Sequence, residues 1–320
     1  MIQLKPTDLK LLAHLGHHSR DSYADIAKTL HISREQVAYR IEKFLKEDLI
    51  KGFFPIVNYA ALSYPLITML FLAFDKRQHL KTFKKTLAHD KNRISHGEIL
   101  AKYDIFIILA FKDESEKKNY LSSLLSHKTI TDHLILEPHH IQLYPLKFMG
   151  KREQSPFLMI DNTLSMPQKI DEKDRKILKA LTKDARMKVI DIAKQTNISA
   201  ELIVYHLKQL KTKNILLGSR AYFNMEKLGF FYTLLFLNLK RLSTSTQQTL
   251  KQFALQDPHI ETVSFMFTKP NCYLQVFHKD ENQLRQTILS LKELLRDEHY
   301  ELEILPIKDA GEDINVMPFL

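Results

Sequence analysis

Residues 33–43, SREQVAYRIEK, set hydrogen-bonding forks and charges at helical spacing. Val37 and Ile41, with Phe44 beyond them, fall on one side of a helix, and Ser33 is a good N-cap for it. Arg34, Glu35, Tyr39 and Lys43 then fall on the opposite side, with Gln36 and Arg40 at its flanks. The chemistry open to such a face is recognition. Arg34 can pair bidentately with guanine and Gln36 with adenine, while Glu35 can accept from the cytosine amino group. Arg40 and Lys43 suit phosphates, which position a protein on a duplex without reading its sequence.

A second version of this face lies at residues 199–211. Ser199 is its cap, and Ile203, Leu207 and Leu210 are its apolar side. Glu201 and Tyr205 are kept, but Ala200 replaces Arg34, Leu202 replaces Gln36 and His206 replaces Arg40, while Lys208 and Lys211 add charge. Laying Asp8 on Asp174, a shift of 166 residues, makes roughly 14 of 45 positions identical without a gap. Arg20 falls on Arg186, the DIAK at 25–28 on the DIAK at 191–194, and Gly52 on Gly218. The chain is a duplicated and fused module. With fewer base-reading groups, the second copy should favour backbone contacts or a different half-site through Ser199, Glu201, Tyr205, His206 and Lys208. An ordinary dimer reads two like half-sites. Two copies pairing within one chain, or swapped between chains, would read an asymmetric site.

The elements that must position these faces follow from the pattern. Leu9, Leu11, Leu12 and Leu15 mark a first helix; Tyr23, Ile26, Ala27 and Leu30 mark a second, capped by Ser22. A tight turn at His31-Ile32 leads into the third, which makes a helix-turn-helix. Short β-prone runs around Gly52 and Gly218 suit a two-stranded wing. The remainder of each copy reads strand, helix, strand, strand, helix, strand, the ferredoxin-like order. The fold class is therefore α+β, two tandem copies of a winged helix-turn-helix followed by a βαββαβ domain. The boundaries fall at residues 1–58, 59–146, a linker at 147–169, 170–224 and 225–320.

Composition bounds the rest. The net charge of +10 and pI of about 9.3 favour a polyanionic partner. A lone cysteine, Cys272, makes no internal disulfide and fits a core position in a reducing compartment. The longest apolar stretches are about half the ~20 residues of a spanning helix, so a cytoplasmic protein without membrane contact is expected. His14, His17 and His18 have helical spacing, but no cysteine or carboxylate completes a metal set, and they read as surface histidines. Phe71, Phe74, Phe106 and Phe111 read as core. No phosphate-cradling glycine loop, nucleophile elbow or zinc spacing is visible, so no cofactor, metal or enzymatic activity is expected.

DIAKTLHISREQVAYRIEKFLKEDLIKGF at 25–53, DRKILKAL at 174–181 and AKYDIFIILAFKD at 101–113 together resemble the Lrp/AsnC family of transcription regulators over nearly the whole chain, twice. The resemblance implies double-stranded DNA as partner. It also implies self-association of the ferredoxin-like domains, as an intrachain pseudo-dimer or a homo-oligomer, and a small-molecule effector such as an amino acid at the interfaces. The family's glycine before its Tyr-Asp pair is absent here: Ala101-Lys102 precede Tyr103-Asp104, and copy two has Thr268-Lys269-Pro270-Asn271 without a following Asp. Siroheme decarboxylases resemble the same family. Only His96 and Lys102 stand as candidates for their site, and the chain has no Trp. A DNA binder without sequence preference is a further alternative.

Overall fold

A computed structural model describes residues 4–150, 158–161, 166–308 and 314–320. Copy one opens with helices α1 (Pro6–Leu15), α2 (Tyr23–Leu30) and α3 (Arg34–Lys46). Ser22 and Ser33 cap α2 and α3 as expected, each hydroxyl accepting from a backbone N–H in the first turn. His31 closes α2 in the left-handed region, φ 54°, and so makes the tight turn. Leu11, Leu12, Leu15, Ile26, Val37, Ile41 and Phe44 bury together as the core of this bundle.

Strand β1 (Ile50–Val57) leaves the bundle. Copy one continues with β2 (Leu66–Phe74), α4 (Arg77–Leu87), β3 (Arg93–Glu98), β4 (Ile105–Phe111), α5 (Glu114–Leu125), β5 (Ile130–Leu136), β6 (Pro138–Leu143) and a short strand β7 (Leu158–Asp161). Copy two repeats the plan as α6 (Glu172–Lys183), α7 (Val189–Thr196), α8 (Ala200–Thr212), β8 (Leu216–Phe223), β9 (Phe231–Leu239), α9 (Thr244–Gln256), β10 (Ile260–Met266), β11 (Cys272–His278), α10 (Glu281–Leu294) and β12 (Tyr300–Ile307).

The wing ribbon is completed across the copies. β1 has no turn on which to fold back, and it pairs antiparallel with β8, its own repeat. Phe54 stands opposite Arg220, its counterpart at the shift of 166, so a pseudo-twofold axis passes through that pair. The flanking bonds obey the axis: Ser19 N–H donates to Ser219 O and Ala185 N–H to Phe53 O, while Asn58 N–H donates to Ile215 O and Asn224 N–H to Leu49 O. The two copies therefore form a dimer within one chain. Each helical bundle also borrows apolar groups from the other copy. Phe223, Leu228 and Phe230 enter the first core, and Val57, Ala61 and Leu62 the second.

The order β3-β4-β2-β5 is the expected ferredoxin-like sheet, and β12-β9-β11-β10 is its repeat. β6 leaves its own copy to pair with β10, and β7 pairs with β6 at the edge. Phe71 and Phe106 of one sheet meet Phe236 and Tyr273 of the other in a shared core. Cys272 is buried, as are Phe71, Phe106 and Phe111. Two expectations need correction. The linker at 147–169, where described, carries β7 and a turn at Lys147–Met149 whose Met149 is buried in the first bundle. His14 and His17 are buried, because the end of α1 is covered by copy two and by Leu146; His14 Nε2 lies 2.9 Å from an Asp21 carboxylate oxygen.

Candidate nucleic-acid interface

The N-terminal turn of α3 stands clear of the protein. Ser33, Arg34, Glu35, Gln36, Tyr39 and Lys43 are all exposed, Tyr39 at 68%. Two of them also hold the turn together in a capping box. Gln36 N–H donates to Ser33 Oγ at 3.2 Å, and Ser33 N–H donates to Gln36 Oε1 at 3.3 Å. Gln36 must release that bond to meet adenine with both ends of its amide. The Glu35 carboxylate is held below its ordinary pKa by a backbone hydrogen bond and by the Ser33 hydroxyl, so it is an acceptor at neutral pH.

Arg40, expected as a phosphate contact, is already engaged within the bundle. It turns inward and ion-pairs with the buried Asp8 of α1. Burial of Asp8 leaves a charge that needs a partner, and Arg40 is within reach one turn from the bundle's edge. Lys43 stays exposed, 3.8 Å from Glu47. Between α1 and α3 a cleft of about 340 Å³ is lined by Lys5, Asp8, Gln36, Tyr39, Arg40 and Lys43. With Arg40 paired to Asp8, Lys5 and Lys43 are the cations it offers to a phosphate. Lys5 was missed from sequence because it precedes α1 and shares no helix with the others.

Copy two keeps the frame and changes the contents. Ser199 caps α8, its Oγ accepting from Leu202 N–H at 3.4 Å. Glu201, Tyr205 and Lys208 are exposed as expected. His206 is not part of that face: it is 7% exposed and sits 2.8 Å from Asp174, the counterpart of Asp8. The position at which copy one has Lys5 is Asp171, so this flank is acidic. Asp171, Asp174 and His206 each offer a ligand atom within 4.8 Å of one another, a grouping the sequence reading did not find. Those atoms already close a capping box and the ion pair, since Asp171 Oδ1 accepts from Asp174 N–H and Asp174 Oδ2 from Asp171 N–H.

The turn where the family glycine is missing has a structural role in both copies. Asp104 Oδ2 accepts from Phe74 N–H at 2.7 Å, and Asn271 Oδ1 accepts from Leu239 N–H at 3.0 Å, each tying a β-hairpin start to the end of the neighbouring strand. Asn271 thus replaces the missing Asp. Of the enzyme-site candidates, His96 is buried near Arg93, and Lys102 is exposed, 2.8 Å from Asp132. Among the described residues no helix is long and apolar enough to cross a membrane.

A family model described as an AsnC-type helix-turn-helix domain matches residues 6–45, and one described as a winged helix-turn-helix DNA-binding domain matches residues 170–216. An uncharacterised helix-turn-helix transcriptional regulator of Pyrococcus abyssi is 28% identical over 138 residues, 42% of this chain and 92% of its own. The proline dehydrogenase transcriptional activator of Rhizobium radiobacter is 36% identical over 84 residues, 26% of this chain and 53% of its own. Among solved structures, the siroheme decarboxylase NirDL superposes with a TM-score of 0.63 at 13% identity, covering 98% of this chain and 96% of that one. This full-length likeness to an enzyme corrects the expectation that enzymatic activity is excluded: the whole tandem architecture is one on which a decarboxylase is built.

Proposed function

We propose that the chain is a sequence-specific DNA-binding regulator of Lrp/AsnC type acting as a single-chain dimer, with α3 and α8 entering the major groove as two unlike halves. The observation that carries this reading is the exposed Arg34, Glu35, Gln36, Tyr39 and Lys43 face beside the basic Lys5–Lys43 cleft, set on a fixed pseudo-twofold frame. Arg34 is the base reader and Lys5 and Lys43 the phosphate anchors. The reciprocal bonds around Phe54 and Arg220 hold the spacing of the two helices, so the operator is asymmetric in sequence and fixed in half-site separation. Fluorescence anisotropy across a salt series tests it, with a duplex from upstream of the gene against a scrambled duplex of equal length. A cognate advantage of about a thousandfold or more is expected. Equal, steeply salt-dependent binding to both would instead fit a binder without sequence preference.

The full-length likeness to NirDL favours one second reading, decarboxylation of a tetrapyrrole. His96, buried near Arg93, and the exposed Lys102, paired with Asp132, are its candidates. Titration with siroheme tests it: a bound, red-shifted absorption band and release of carbon dioxide would establish the activity.

A further inference from the structure

The two recognition helices differ most along a single stripe. In α8 that stripe is Ala200, Val204, Lys208 and Lys211, successive turns of one face. In α3 the same positions are Arg34, Ala38, Glu42 and Leu45. On this stripe the cation of α3, Arg34, stands at the N-terminal turn, where base edges are met, and those of α8 stand toward its C-terminal end. The N-terminal turns of α8 and α7 carry the exposed apolar residues Ala200 and Ile190 beside the carboxylates Glu201 and Asp191. Val204 is 55% exposed, and Ile190 of α7, where copy one has Ala24, is 62% exposed. Lys188 at the N-cap of α7, Lys194 in its last turn, and Lys208 and Lys211 of α8 are exposed as well.

We infer that α8 reads thymine, through contact of Ala200 and Val204 with the 5-methyl groups of a T-rich half-site, while α3 reads guanine through Arg34. This rests on the DNA-binding reading above. In the major groove the thymine methyl is the apolar feature of the base-edge code, and small apolar side chains are what meet it. Lys208 and Lys211, further along the same stripe, suit phosphates beside such a contact. The acidic flank of Asp171 and Asp174 leaves α8 without the basic cleft that α3 has, so its share of recognition falls on Ala200 and Val204 and on Glu201, which accepts from a cytosine amino group. The pseudo-twofold axis fixes which half of the site each helix meets.

The test starts from the operator recovered by in vitro selection with the full chain. Each half-site is then rebuilt with deoxyuridine for thymine, which deletes only the methyl. Loss of about fourfold in affinity per contacted methyl, the value of one buried CH2, is expected in one half-site only. Val204→Ala, which restores the copy-one residue, should shrink that loss, and the double variant Ala200→Arg with Leu202→Gln should move selection toward a palindrome. Specific binding that ignores deoxyuridine in both half-sites overturns the inference and leaves the regulator reading intact. Absence of any sequence preference overturns the reading beneath it. If Val204→Ser shifts the sedimentation of the free protein and leaves base preference unchanged, the patch is a contact between chains and the inference fails.

Discussion

Arg20 and Arg186 exchange equivalent bonds across the pseudo-twofold axis: Arg20 donates to the carbonyl of Ala185, and Arg186 donates to that of Ser19. Each acceptor is the residue preceding the other arginine, so the contact is isologous within a single chain. Both guanidinium groups are largely buried, which lowers their pKa values, chiefly by desolvation. Arg186 also lies over the rings of Tyr23 and Phe53, at 5.0 and 5.4 Å from their centroids.

Removing either arginine strips a charge-assisted bond from a partly buried carbonyl. Arg20→Ala should destabilise the chain by about 2 kcal/mol. Arg186→Ala should cost about 1 kcal/mol more, because its ring contacts go as well. Urea denaturation followed by circular dichroism measures both. The double variant should cost less than the two singles together, since either loss already loosens the same interface. Strict additivity would mean that the two bonds do not share one clamp.

Arg40 and Lys43 should separate in experiment although both are cations on α3. Arg40→Ala leaves Asp8 buried without its partner and should cost about 3 kcal/mol of stability. Lys43→Ala should leave the melting temperature almost unchanged, lower DNA affinity on every sequence alike, and reduce the salt slope by about 1. Arg34→Ala should cost about 1–3 kcal/mol of discrimination at one base pair. Thermal melts paired with anisotropy titrations decide all three. A stable Arg40→Ala protein with a reduced salt slope would restore Arg40 to the phosphate contacts.

How far the sequence carried these assignments depends on the range of each interaction. The caps Ser22, Ser33 and Ser199 and the buried Val37, Ile41 and Phe44 are local, and periodicity with capping chemistry was enough to find them. The fate of Arg40 and His206 was not legible, because each is decided by a carboxylate 32 residues earlier in the chain, Asp8 and Asp174. The intrachain dimer left one trace: Arg20, Arg186, Gly52 and Gly218 are among the few identical positions outside the helix cores, and they lie at or beside the copy-to-copy contact. The strand exchange of β6 left none, since its alternating pattern fits either sheet.

The hairpin clips give a test of residue type. Asp104→Asn should be nearly neutral, because Asn271 already makes the equivalent bond to Leu239 in copy two. Asp104→Ala should cost about 1–2 kcal/mol, as Phe74 N–H then loses its acceptor. Differential scanning calorimetry of the two variants measures the difference. An unstable Asp104→Asn protein would show that the carboxylate charge, and not the bond, is what the turn requires.

Glu98 also links the two copies and sets an acid dependence. Its carboxylate accepts from Lys84 at 2.7 Å and from Lys308, just beyond β12, at 3.0 Å. The Lys84 hydrogen bond, with a smaller share from Lys308, brings its pKa down to about 2. A carboxyl whose pKa is lower in the folded chain than in the unfolded one stabilises the fold above the unfolded value, about 4.3, and loses that contribution as pH falls toward the folded value. The side chain is partly exposed, and after allowance for solvent screening the contribution is about 1 kcal/mol. Glu98→Gln should therefore lower the urea midpoint at pH 7 and leave it close to the parent at pH 2. The gap between the two proteins should close between about pH 4.5 and 2. A gap that stays constant across that range would assign the loss to the amide's altered hydrogen bonding and not to the ion pairs with Lys84 and Lys308.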